Sequence, residues 1–266
     1  MNTSNNPQEL IEPVVDIARE AADKILEIYH SNYAINQKND STPVTSADLA
    51  AHRCIVSRLK TITPALPVLS EESVKIPFSE RSTWQTYWLV DPLDGTREFI
   101  KRNGEFTVNI AMIHDHNPIL GVIFVPISGI CYYASQSHGA FKLQDNQHKR
   151  LSANKNCQKK IKVASSRSHA KHSLDNFLTN IGNHELVYMG SSLKSCLVAE
   201  GTVDIYPRLG PTSEWDTAAA QCIVEEAGGL VTDTQMQKLR YNTKESLLNP
   251  DFLVFADKSV QWNKLL

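Results

Sequence analysis

The feature that most narrows the fold is a change of hydrophobic period part-way along the chain. From 7 to about 30, the apolar residues Ile11, Val14, Val15, Ala18, Ala21, Ala22, Ile25, Ile28 and Tyr29 recur at helical spacing. That pattern predicts a long amphipathic helix. A polar loop at 32–43 follows. A second helix then opens at Thr45-Ser46-Ala47-Asp48 and runs to about 59, with Ser46 placed to cap it and Asp48 in its first turn. Past Pro64 and Pro67 the period becomes two. An apolar run at 87–90 and alternating segments at 106–113, 119–125, 130–134 and 140–143, divided by turn residues, predict an antiparallel meander. From 161 onward strand and helix take turns, with strands at 161–164, 185–189, 203–206 and 230–232 and helices at about 170–181, 192–200 and 214–227. The expectation is an α/β (α+β) chain in which two helices cover an antiparallel sheet and an α/β half follows. The polar, Lys-rich stretch 144–160 reads as a solvated connection, which divides the chain into 1–150 and 151–266.

Charge then removes several function classes. Lys plus Arg total 27 against 29 Asp plus Glu, a net charge of −2, which argues against a chain whose main work is gripping nucleic acid or anionic lipid. The longest apolar run, 119–127, is about half of what a bilayer needs, and the polar N-terminus lacks the apolar core of a signal peptide. The five cysteines form no CxxC pair and the nine histidines no HExxH spacing. Reduced thiols in a soluble cytoplasmic protein are the expectation, and a soft-metal site is not.

The chemistry concentrates in Asp91-Pro92-Leu93-Asp94-Gly95-Thr96, directly after the apolar Trp88-Leu89-Val90. Two carboxylates on a turn stiffened by Pro92 and tightened at Gly95 are hard oxygen ligands that favour Mg²⁺ or Mn²⁺. The same residues also make an ordinary Asx turn. Two further acidic clusters adjoin apolar elements: Glu71-Glu72 after Val68-Leu69-Ser70, and Asp216 in Ser213-Glu214-Trp215-Asp216-Thr217 at a helix start. A shared divalent site and separate surface or capping acids both fit that spacing. Gly190-Ser191-Ser192-Leu193-Lys194, at a strand–helix junction, reads either as an anion site or as a serine cap with a surface lysine.

In that order, Leu69-Ser70-Glu71-Glu72, Asp91-Pro92-Leu93-Asp94-Gly95-Thr96 and Trp215-Asp216 resemble the inositol monophosphatase superfamily of Mg²⁺-dependent, Li⁺-sensitive phosphatases. Ser166-Arg167-Ser168-His169, Gly190-Ser191-Ser192-Leu193-Lys194 and Tyr206-Pro207-Arg208-Leu209-Gly210-Pro211-Thr212 narrow the likeness to its bacterial 3′(2′),5′-bisphosphate nucleotidase type. The resemblance implies a layered αβαβα sandwich of the inositol monophosphatase/fructose-1,6-bisphosphatase type. It makes Glu71, Asp91, the Leu93 carbonyl, Asp94 and Asp216 the ligands of two or three Mg²⁺ ions. Asp48 and Thr96 become the pair that activates the attacking water. Glu71, Leu93, Asp94, Gly95, Thr96, His169, Ser191, Lys194, Arg208 and Asp216 become the substrate contacts.

The activity implied is hydrolysis of the 3′-phosphate of adenosine 3′,5′-bisphosphate to AMP in sulfate assimilation, with 3′-phosphoadenosine 5′-phosphosulfate as a second substrate. Lys194 and Arg208, on two segments shortly before Asp216, suit a second phosphate better than an inositol hydroxyl. An inositol monophosphatase or fructose-1,6-bisphosphatase activity, a non-catalytic protein that contacts RNA or the transcription machinery, and a structural metal-binding protein are the competing readings. A small-molecule nucleotide partner is expected and no nucleic acid. The sequence leaves open whether the chain is a monomer or a homodimer, and whether it associates peripherally with the cytoplasmic face of the inner membrane.

Overall fold

The structure is a computed structural model that describes residues 6–30, 35–37, 43–73, 75–166 and 172–266. Asn6 caps helix α1 (Pro7–Tyr29) by accepting from the Gln8 amide at 3.2 Å, with Pro7 in the first turn, where no backbone donor is needed. A two-stranded hairpin, β1 (Ile35–Gln37) and β2 (Pro43–Thr45), occupies part of the stretch expected to be loop. Helix α2 (Ser46–Ile62) then starts at Ser46 itself, not after it.

The chain next builds a seven-stranded sheet. Its strands are β3 (Val68–Ser70), β4 (Thr86–Asp94), β5 (Thr107–His114), β6 (Asn117–Phe124), β7 (Cys131–Ser135), β8 (Gly139–Gln144) and β9 (Gln147–Arg150), adjacent in that order. Only β3 runs parallel to its neighbour. Two short helices, α3 (Phe78–Arg81) and α4 (Thr96–Lys101), sit on either side of β4 in sequence. The sheet thus continues into the stretch read as a solvated connection. Strand β9 carries only Gln147, His148, Lys149 and Arg150, all exposed, so it has no apolar alternation to betray it.

The remainder forms a five-stranded sheet from β10 (Ile161–Ser165), β11 (His184–Tyr188), β12 (Ile205–Arg208), β13 (Leu230–Asp233) and β14 (Phe252–Phe255), in the order β11-β10-β12-β14-β13. Helices α5 (His172–Ile181), α6 (Leu193–Ala199) and α7 (Glu214–Glu226) alternate with these strands. The third expected strand lies two residues later than its apolar run predicts, which brings Arg208 onto its end. The apolar run at 252–255 adds β14, a strand that the sequence pattern did not single out.

Alternation along the large sheet separates two cores. Trp88, Val90, Val108, Ile110 and Met112 face α1 and α2, whereas Tyr87, Leu89, Ala111 and Ile113 face α6 and α7. A third core of Val163, Phe177, Ile205, Leu253, Phe255 and Trp262 lies on the far side of the small sheet. Each fully buried large aliphatic or aromatic side chain among these contributes about 1.5–3 kcal/mol by leaving water. The layers therefore run helix, sheet, helix, sheet, helix: the αβαβα sandwich.

The central layer is tight. A Cβ on Gly121 of β6 would lie 2.4 Å from the Ala219 carbonyl oxygen of α7, so glycine on the strand and Ala218-Ala219-Ala220 on the helix let the two backbones meet. Among the described residues, no helix is long and apolar enough to cross a membrane.

Candidate active site

Strand β4 ends irregularly. Asp91 pairs with Asn109 and Asp94 with Thr107, so three steps along β4 match two along β5. Pro92, which has no amide hydrogen, falls within this bulge. The Leu93 amide turns back to donate to Asp91 Oδ1 at 3.1 Å. Gly95 follows at φ 92°, a left-handed conformation that glycine adopts without strain, and Thr96 opens α4. The bulge and this turn bring both carboxylates to one end of the sheet.

Two other elements arrive at the same place. Because β3 runs parallel to β4, the Glu71 amide donates to the Val90 carbonyl at 3.1 Å, which sets Glu71 beside Asp91. Helix α7 begins at a capping box in which the Ser213 amide donates to Asp216 Oδ2 at 2.9 Å. One oxygen each from Asp91, Asp94 and Asp216 then lies within 4.8 Å of the other two. Asp48, in the first turn of α2 and 3 % exposed, is close enough to act on Asp91 electrostatically.

Crowding these acids shows in their protonation. Burial, and then the charges of Glu71, Asp94, Asp216 and Asp48, push the Asp91 carboxyl well above the usual carboxylate range. Burial with Asp94 and Glu71 raises Asp216 to about 8. A divalent cation relieves both the desolvation and the repulsion, and an all-oxygen donor set suits a hard ion. The residues present therefore fit a Mg²⁺-type ion.

The same cleft, about 290 Å³, has cationic residues as well. Glu71, Asp91, Leu93, Asp94, Gly95, Thr96 and Asp216 line it, and so do Ser191, Lys194 and Arg208. Ser191 holds a left-handed φ of 43°, uncommon outside glycine, and its buried hydroxyl has no partner among the described residues. Lys194 is 5 % exposed and donates to the Ser191 carbonyl at 2.6 Å. Burial lowers it to about 8, against the pull of Asp94. Arg208 donates through Nε to Thr212 Oγ1 at 2.6 Å and through Nη2 to the Pro211 carbonyl at 2.7 Å, which leaves Nη1 for another acceptor. His169 lies outside the described residues.

Several residues of the site escaped the sequence reading. The Ser192 amide donates to Asp94 Oδ2 at 2.6 Å, and its hydroxyl lies 2.6 Å from the same oxygen and 2.8 Å from the Asp216 carbonyl. Asn109 reaches the same oxygen at 3.3 Å and Thr107 at 3.5 Å. Thr107 and Asn109 did carry a signal: polar residues two apart, both fully buried, in an otherwise apolar strand. Arg97, Glu98, Tyr206 and Phe252 also line the cleft.

The pattern of the inositol monophosphatase family matches residues 6–261. The 3′(2′),5′-bisphosphate nucleotidase CysQ of Salmonella typhimurium is 47 % identical over 249 residues, covering 92 % of this chain and 99 % of that one. That of Aggregatibacter actinomycetemcomitans is 41 % identical over 258 residues, covering 96 % of each. Among solved structures, CysQ from Bacteroides thetaiotaomicron, a bacterial member of the same family, superimposes with a TM-score of 0.83 at 40 % identity, over 96 % of this chain and 99 % of that one.

Proposed function

The chain belongs to the inositol monophosphatase family, and from that premise we propose that it is a 3′(2′),5′-bisphosphate nucleotidase that hydrolyses adenosine 3′,5′-bisphosphate to AMP and phosphate. The observation that carries the substrate is one cleft lined both by the acidic cluster and by Lys194 and Arg208. A monophosphate needs one anion site beside the acids, whereas a bisphosphate needs a second cation at a distance from the first. The 3′-phosphosulfate analogue shares the scissile group and the same two anionic ends, so it is a second substrate. Both place the enzyme in sulfate assimilation. The five free thiols suit the reducing cytoplasm.

Glu71, Asp91, the Leu93 carbonyl, Asp94 and Asp216 hold two or three Mg²⁺ ions. When bound, these supply a Lewis acid for the phosphoryl oxygens and lower the pKa of the attacking water. The Thr96 hydroxyl orients that water and passes a proton to Asp48, whose burial keeps the carboxylate from competing solvent. Water oxygen bonds to phosphorus as the bond from phosphorus to the 3′-oxygen breaks in line, and the departing 3′-oxygen takes a proton from solvent to become the hydroxyl of AMP. Ser191 Oγ and the Lys194 ammonium hold the phosphate and sugar portion, Arg208 Nη1 reaches the 5′-phosphate, and His169 lies against the adenosine. With its pKa near 8, Lys194 keeps its charge at neutral pH.

Phosphate release from adenosine 3′,5′-bisphosphate is expected to need Mg²⁺, to fall on adding Li⁺, and to exceed release from inositol 1-phosphate. A preference for the inositol ester would remove Lys194 and Arg208 from substrate recognition. A second expectation follows from the raised carboxyls. A group whose folded pKa lies above its unfolded value stabilises the fold at low pH and loses that contribution as pH rises through the folded value. The metal-free chain therefore loses stability from about pH 4 up through about 8, the Asp216 value. Mg²⁺ binds the ionised form, so the rise in melting temperature on replacing EDTA with Mg²⁺ should grow from pH 6 to pH 8.5. A pH-independent rise would detach the ion from these carboxyls.

A further inference from the structure

Asp94 belongs to the N-terminal half, yet its two shortest hydrogen bonds come from the C-terminal half. All the hydrogen bonds to this carboxylate among the described residues end on Oδ2, two of them from Ser192 at 2.6 Å. Oδ1 is thereby left for a cation. The Ser192 hydroxyl in turn accepts from Asn109 Nδ2 at 2.8 Å, so its single hydrogen serves two acceptors, Asp94 Oδ2 at 2.6 Å and the Asp216 carbonyl at 2.8 Å, with the shorter contact on Asp94. Ser192 is 6 % exposed and stands between Ser191, a cleft-lining residue with a left-handed backbone and a buried hydroxyl that has no partner among the described residues, and α6, whose Lys194 donates to the Ser191 carbonyl.

We propose that Ser192 is a positioning residue that couples the acidic and the cationic parts of the cleft: it orients Asp94 for the cation, and it does so from the turn that engages the anionic ligand. This rests on the metal and nucleotide reading above. A ligand held by Ser191 and Lys194 fixes the 189–194 turn, and the fixed turn presents Ser192 to Asp94. Linkage is reciprocal, so Mg²⁺ and a 5′-nucleotide each tighten the other's binding. Ser192 touches neither the reacting phosphorus nor the attacking water; its effect passes through Asp94.

The test is calorimetric titration of the full chain with Mg²⁺, with and without saturating AMP, beside the melting temperature of the metal-free chain. In Ser192→Ala the backbone bond survives but the hydroxyl bond is lost. Mg²⁺ affinity should fall by about tenfold or more, as it does when an outer group orienting a ligand is removed. The factor by which AMP tightens Mg²⁺ should fall toward one, and Ser192→Thr, which restores the hydroxyl, should recover both. A merely structural serine would lower the metal-free melting temperature and leave Mg²⁺ affinity and the AMP effect unchanged; that result overturns the inference alone. Absence of Mg²⁺ binding by the unaltered chain would overturn the metal reading and this inference with it.

Discussion

Replacing Asp91 by asparagine is expected to cut Mg²⁺-dependent phosphate release by about 10³-fold or more while raising the melting temperature of the metal-free chain. The first effect follows from position. Asp91 is 1 % exposed, and its oxygen lies within 4.8 Å of those of Asp94 and Asp216, at the centre of the candidate ligand set. Removing its charge costs the several kcal/mol of transition-state stabilisation that a bound cation supplies, and about 4 kcal/mol is a factor of 10³. The second effect has the opposite sign because the cost is electrostatic. Burial and four acidic neighbours already hold the Asp91 carboxyl well above its usual range. Asparagine keeps the volume and an oxygen for the Leu93 amide, and it ends the repulsion. Phosphate release and thermal melting in EDTA at pH 8 measure the two. Near-normal turnover would remove Asp91 from the metal site, and a lower melting temperature would show that its charge is satisfied in the metal-free fold.

The largest stability loss is expected from a single methyl group. Gly121→Ala places a carbon 2.4 Å from the Ala219 carbonyl oxygen and 3.0 Å from two more backbone atoms of α7. Backbone inside a helix has little freedom to retreat, and behind α7 stands the small sheet. Overpacking of this kind costs about 3 kcal/mol, which for a chain of this size is a drop of roughly 6–12 °C in melting temperature. Activity should fall with it, because pushing α7 off the sheet displaces Asp216 in its first turn. Equilibrium unfolding in urea measures the loss. A change under about 0.5 kcal/mol, the range of ordinary surface substitutions, would mean that the helix is not held against β6 as described.

How much of this was legible beforehand depended on where the signal lay. The first helix announced itself through residues such as Val14, Ala18, Ala21 and Ile25, and all four are buried against the sheet. The acidic run at 91–96 was legible because a proline and a glycine beside two aspartates restrict the backbone locally. Strand β9 was not, since an exposed edge strand has no buried face to impose a period. Helix α4 was missed as well; six residues at a turn carry little periodicity, and its start depends on the left-handed Gly95.

Ser192 is the instructive omission. Two adjacent serines look alike in a sequence, and nothing local tells that the second bonds Asp94 while the first takes a left-handed φ of 43°. The convergence of Glu71, Asp94 and Asp216 likewise depends on sheet register and helix placement, which no local spacing encodes.

The dispersal of the acids along the chain also bears on how the molecule comes into being. Glu71, Asp91 and Asp94 precede Asp216 by more than a hundred residues, and both serines of the 191–192 turn fall in the interval. At typical ribosomal rates, about ten seconds separate the emergence of Asp94 from that of Asp216. The seven-stranded sheet, complete by Arg150, is available to fold during that time. A newborn chain can thus bury its first two layers while the cage of carboxylates is still missing a wall, and it gains a place for the ion only as the last half docks.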